Sequence, residues 1–130
     1  MKPCPCGNPK PFIKCCDRFL SGKENAKTPE QLMRSRYSAY ALGGYGEYLV
    51  STWLPVTANA LDASELSIKT VDWKKLEIIS SSQQGDNGVV EFKAWFSKSP
   101  NSNEMESMHE ISNFIRMQSQ WFYVDGRVSI

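Results

Sequence analysis

A chain of 130 residues, 41% of them apolar, fits one ordinary domain plus a small appendage. No apolar run approaches the roughly 20 residues needed to cross a bilayer, and Lys2 is followed by proline and cysteine in place of an apolar leader, so the sequence argues for a cytoplasmic protein with no membrane contact. The net charge of +1 conceals six basic against two acidic side chains in residues 1–27 and nine against twelve in the remainder, a local excess too small to point to nucleic acid.

All four cysteines fall at the start of the chain, as Cys4-Pro5-Cys6 and Cys15-Cys16. Two tight pairs with eight residues between them suit one tetrahedral ion that takes soft ligands, and zinc is the ordinary occupant. Pro3 and Pro5 favour extended backbone, which points Cys4 and Cys6 to the same side, and Gly7 lets the chain fold closely round the ion. A short helix from Pro11 to Leu20 would make Cys15 and Cys16 diverge by about 100° and flank the ion together. Lys2, Lys10, Lys14 and Arg18 are placed to offset the negative charge of a four-thiolate centre. Two disulfides or reactive thiols are the competing readings. A bridge between neighbouring cysteines is strained, two bridges would staple only a short tail, and a reducing compartment favours the metal.

Residues 21–27 have linker composition, so a zinc knuckle over residues 1–22 is expected to hang, facing outward, from a domain over residues 28–130. Thr28 as cap, Pro29 in the first turn and Gln31 as the reciprocal partner start a helix that Gly43-Gly44 stops. Its apolar face is Leu32, Met33, Tyr37, Tyr40 and Ala41, with Arg34 and Ser38 on other faces. Further helices are predicted over 45–53, ended by Pro55, and over 57–66.

After Ile68 the period becomes extended. Strands are predicted over 73–80, 89–97, 108–117 and 120–124, with a hairpin turn in Gln84–Gly88 and a final turn at Asp125-Gly126. Val90, Phe92, Ala94 and Phe96 share one face of the second strand. Leu76, Ile78, Phe92, Phe96, Tyr37 and Trp53 form the expected core, while Trp73 and Trp95, set among charges, are expected on the outer face. Helices followed by an antiparallel meander give an α+β fold, the helices packed on a curved sheet.

Two resemblances follow from these residues. Cys4-Pro5-Cys6-Gly7-Asn8-Pro9, followed by Phe12-Ile13-Lys14-Cys15-Cys16, resembles the SEC-C motif, the small zinc module at the end of the SecA translocation ATPase and in many other bacterial proteins. Residues 28–40, 48–53, 90–92, 109–114 and 121–126 resemble the YchJ family of small bacterial proteins, a likeness spanning nearly the whole chain. It implies a nuclear-transport-factor-like (cystatin-like) cone behind the zinc module, in a family without an assigned biochemical role. It also implies a second cysteine motif near the C-terminus, which the sequence up to Ile130 does not contain. The SecA module docks on an acidic chaperone surface, so the resemblance implies a protein partner for the basic knuckle.

In that family the mouth of the cone often serves as a pocket, which Arg36, Tyr40, Trp53, Glu110 and Arg116 could line. Glu110, Ser112, Phe114 and Arg116 alternate onto one strand face, and a buried Glu110–arginine bridge is a competing reading for the charges. His109, the single histidine, points away from Glu110 if both lie on a strand, so a local hydrogen bond is expected of it rather than catalysis. No nucleophile, second metal cluster or phosphate-cradling loop accompanies these residues, and no catalytic residue is assigned. The expected role is a zinc-binding adaptor that docks a protein; the alternative is small-ligand binding or proton transfer in the cone.

Overall fold

A computed structural model describes residues 2–129; Met1 and Ile130, the ends of the two expected domains, lie outside the described residues. A 3-10 turn, Phe12–Lys14, leads into α1 (Asp17–Leu20), then α2 (Pro29–Leu42), α3 (Gly46–Ser51), α4 (Pro55–Ala58) and α5 (Ala63–Leu66). Four strands follow, β1 (Asp72–Gln84), β2 (Asn87–Ser97), β3 (Glu106–Met117) and β4 (Gln120–Ser129). They form one antiparallel sheet in the order β1-β2-β3-β4. The helices cover one face of this sheet, giving the expected α+β arrangement. No helix among the described residues is long and apolar enough to cross a membrane.

α2 begins as its sequence dictates. Thr28 Oγ1 accepts from the Gln31 amide at 3.1 Å, while Gln31 Oε1 accepts from the Lys27 amide at 2.8 Å, one residue before the usual reciprocal bond. Gly43, at φ 73°, ends the helix in a conformation that a side chain would resist. Leu32 and Tyr37 are buried as predicted, but so is Ser38, because the cysteine segment packs on that side of the helix. With Leu49 from α3, Val90 and Phe92 from β2, and Phe114 from β3, they make the core between helices and sheet.

The local differences from the sequence reading have identifiable causes. The helix expected over 11–20 is instead a 3-10 turn and a single α-turn, broken at Cys15 (φ −124°, ψ −112°), where the backbone turns to bring its thiol to the cluster. The helix expected over 57–66 is likewise two turns, α4 and α5, the second capped by Asp62. In β1 a bulge at Lys74 swings Trp73 to the helix-facing side, where its ring meets Tyr37 at 5.9 Å and Phe96 at 5.2 Å; it does not lie on the outer face. Trp95 stays outside under Lys75, whose Nζ is 4.9 Å from the ring. Of the expected core, Leu76, Tyr37 and Phe92 are buried, whereas Ile78, Phe96 and Trp53 are half-buried at its margin.

β4 does not turn at Asp125-Gly126. A bulge at Val124 shifts the register, from Phe114 opposite Tyr123 to Asn113 opposite Asp125, and pairing continues to Ser129. Nor does the cysteine segment hang free. Phe19, Leu20 and Ala26 are buried in the common core, and Trp121 Nε1 donates to the Lys27 carbonyl at 3.2 Å, fixing the stretch that had linker composition.

Candidate metal centre and sheet cavity

The N-terminal segment folds into a loop whose ends are stitched together. Pro3 bridges to Pro11, the Phe12 amide donates to the Lys2 carbonyl at 2.9 Å, and the Gly7 amide closes a turn on the Cys4 carbonyl at 3.2 Å. That turn holds Gly7 at φ 85°, a conformation natural to glycine. The result brings the Sγ atoms of Cys4, Cys6, Cys15 and Cys16 within 4.8 Å of one another. The Cys6 and Cys15 sulfurs are 3.7 Å apart, and all four cysteines are free. Sulfurs about 2.3 Å from a tetrahedral ion stand about 3.8 Å from each other, so the donor set fits one metal ion with little movement. In this fold none of the four sulfurs is bonded to another, the arrangement a shared metal ion needs.

Exposures of 5% or less put the whole cluster inside the protein. Without a cation, such crowding shares ionisation unequally. Hydrogen bonds from Cys16 and Cys6 pull the Cys4 thiol far below the ordinary range, burial pushes Cys15 up to about 12, and the bonds that Cys16 makes to Cys4 and Cys6 push its own thiol up. Four thiolates can share this space only around a positive ion.

α2 supplies the second layer. Arg34 Nη1 donates to the Cys6 carbonyl at 2.9 Å while its Nε holds Glu30 at 2.9 Å, and Ser38 Oγ lies 3.9 Å from Cys4 Sγ. Arg18 Nε donates to the Cys15 carbonyl at 3.0 Å, as its placement suggested, whereas Lys2, Lys10 and Lys14 are exposed. Arg34 and Ser38 escaped the sequence reading because they lie 28 and 34 residues from the cysteines they touch. Their one trace is polar residues placed on a helix flanking a cysteine module.

A second site lies under the sheet, a cavity of about 220 Å³. Of the five residues proposed for it, Arg36, Tyr40, Trp53 and Glu110 line it together. Arg116 does not. It shares the strand face with Glu110 but stands six residues along β3, about 20 Å away, where it pairs with Asp86 at 2.9 Å and lies 5.2 Å from the Trp121 ring. Met33, Tyr37, Trp73, Phe92, Met108 and Tyr123 complete most of the wall; Trp73 and Met108 were not foreseen there.

Arg36 is 3% exposed, and its Nη1 donates at 2.8 Å to both the Leu49 carbonyl and Thr52 Oγ1. Its guanidinium lies 4.7 Å from the centroids of the Trp53 and Tyr123 rings. Burial lowers its pKa, an effect countered by Tyr40, Tyr123, Tyr48 and Glu110. Glu110 is not its ion-pair partner: that carboxylate accepts from the Ser112 hydroxyl and, at 3.1 Å, from Tyr123. The bridge expected between Glu110 and an arginine is therefore replaced by a hydroxyl pair. Glu110 also lies over Gly126 of β4, where a Cβ would collide with its carboxylate. His109 faces the other side of the sheet, Nε2 at 2.7 Å from Glu91 and Nδ1 at 3.1 Å from Ser129, the local bonding expected of it.

Residues 28–126 match the family model described as the YchJ middle NTF2-like domain. A UPF0225 protein of Sodalis glossinidius is 38% identical over 129 residues, covering 96% of this chain and 82% of that relative. The chain belongs to the YchJ (UPF0225) family. Another member, from Chromobacterium violaceum, is 41% identical over 131 residues, covering 97% of this chain and 93% of that protein. The YchJ-family fold is matched in solution by a SEC-C motif containing protein from Rhodopseudomonas palustris, with a TM-score of 0.87, 33% identity and 98% of both chains covered. The resemblances to the YchJ family and to the SEC-C motif are thus confirmed, and with them the nuclear-transport-factor-like fold.

Proposed function

We propose that the cysteine cluster holds one structural zinc ion and that the basic surface of this knuckle docks an acidic protein partner. The observation that carries the first part is the geometry: four buried sulfurs within 4.8 Å of one another offer a closed tetrahedron. Catalytic zinc sites keep a coordination position open, and a four-thiolate set leaves none. The ion's role is then architectural, tying the loop to α1 and α2, and a reducing, cytoplasmic setting keeps its ligands unoxidised.

Docking is supported by what the knuckle turns outward. Ile13 is 60% exposed, and Lys2, Lys10 and Lys14 are exposed on the same short segment, so an apolar contact sits within a basic field. The likeness to a SEC-C motif protein supports the same use. In pull-downs from bacterial lysate, the wild-type chain should retain an acidic protein that raised salt releases and that the Lys10→Glu/Lys14→Glu double variant fails to retain. Equal retention by both forms would refute docking through this surface.

The cavity supports a second, compatible activity, the binding of a small molecule. What favours it is a buried cation, Arg36, in a largely apolar wall.

A further inference from the structure

The cavity's chemistry narrows what it can hold. Among the described residues that line it, Arg36 is the one cation and Glu110 the one anion, and the two are not paired. Both bonds Arg36 makes through Nη1 go to neutral oxygens, and among the described residues its guanidinium, 3% exposed, forms no ion pair, the Glu110 carboxylate of the same cavity being held by hydroxyls. Burying an unpaired charge is costly, and the stacking of Trp53 and Tyr123 on the guanidinium offsets that only in part. A second group nearby is also short of a partner: Trp53 Nε1, buried, has no hydrogen-bond acceptor. An indole N–H lacking an acceptor, beside a guanidinium that shares no ion pair, calls for an acceptor, and the charge of Arg36 makes a negative one the best match.

The opposite wall is apolar. Tyr37, Trp73, Phe92 and Met108 present ring faces and a thioether, suited to an apolar or aromatic body. At about 220 Å³ the space is below the roughly 300–1,000 Å³ typical of drug-sized ligands. A phosphate dianion fits poorly, since a single guanidinium would face two negative charges with the Glu110 carboxylate close by.

We propose that the cavity binds a small organic monocarboxylate with an apolar body, its carboxylate on Arg36 and its body against Trp73 and Phe92. This rests on the ligand-binding reading of the cavity and adds the chemical class. It needs no metal chemistry and no catalytic step.

The test titrates the isotope-labelled, metal-loaded full chain with benzoate, its neutral isostere benzamide and the cationic benzamidine, following the indole N–H signals of Trp53 and Trp73. Benzoate should shift both signals and bind about tenfold or more tightly than either analogue. The Met108→Trp variant, which fills the half-buried rim, should lose binding of benzoate while its other amide signals stay in place. Arg36→Met should erase the preference for benzoate over benzamide; if that variant fails to fold, the ranking of the three probes on the wild-type chain still decides. Benzamide or benzamidine binding as well as benzoate would overturn the carboxylate assignment and leave ligand binding standing. No shift of either indole by any probe at millimolar concentration would overturn both.

Discussion

Replacing Arg34 with alanine tests whether α2 holds the metal centre in place. Two contacts go at once: the 2.9 Å bond from Nη1 to the Cys6 carbonyl and the 2.9 Å pairing of Nε with Glu30. A hydrogen bond from a charged donor contributes about 1.5–3 kcal/mol where water is excluded. The Arg34 side chain is 22% exposed, which places its bond toward the lower end, and the pairing with Glu30, 41% exposed and one helical turn away, adds a few tenths. The sum is about 2 kcal/mol. Because that bond sets the Cys6 loop that would hold the proposed metal, the loss should appear chiefly as weaker metal binding, by about 30-fold. Competition against a chromophoric chelator measures it, with far-ultraviolet circular dichroism as the control that α2 and the sheet persist. Arg18→Ala, which removes a bond within the loop itself, should weaken binding less. Metal affinity of Arg34→Ala within twofold of wild type would refute the idea that α2 organises the centre.

Three further outcomes follow from the packing. Phe114, 2% exposed and edge-on to Tyr123, should cost about 3–5 kcal/mol when cut to alanine, read by urea denaturation; a loss below about 1 kcal/mol would misplace the core. Gly126→Ala should destabilise by about 1–3 kcal/mol, since the new methyl meets both the Glu110 carboxylate and the Tyr123 hydroxyl, and Glu110→Ala in the same chain should recover only part of that loss in thermal unfolding. Burial pushes the Tyr48 hydroxyl from 10.0 up to about 12, so the folded state holds its proton longer than the unfolded chain does. The corresponding stability is present in full below pH 10.0 and is lost as pH rises toward about 12; Tyr48→Phe should flatten that alkaline decline in denaturation profiles, and an unchanged profile would refute the assignment.

Much of this was legible in the chain because the signals were local. Thr28-Pro29 and Gly43-Gly44 bracket α2 through capping and backbone freedom, and the alternation of Val90, Phe92 and Ala94 gives the inward face of β2. The four cysteines declare a common site by their spacing alone. What stayed hidden depends on long-range contact or a one-residue slip. A bulge at Lys74 decides which side Trp73 faces, and another at Val124 carries β4 past Gly126. Arg116 has the right face for the cavity but the wrong place along the strand, a distinction that only the sheet's register can make. The packing of Ser38 and Arg34 against the cysteine loop, which turns an expected hanging module into part of the common core, brings together residues 28 and 34 positions apart.

Elemental analysis of the purified full-length chain, paired with thiol counting, tests the central claim most directly. One zinc per chain is expected, with Cys4, Cys6, Cys15 and Cys16 unreactive toward a thiol reagent until a chelator is added, and with zinc content falling sharply in Cys16→Ser. Far less than one zinc per chain, with the cysteines recovered as disulfides or freely reactive without a chelator, would contradict it.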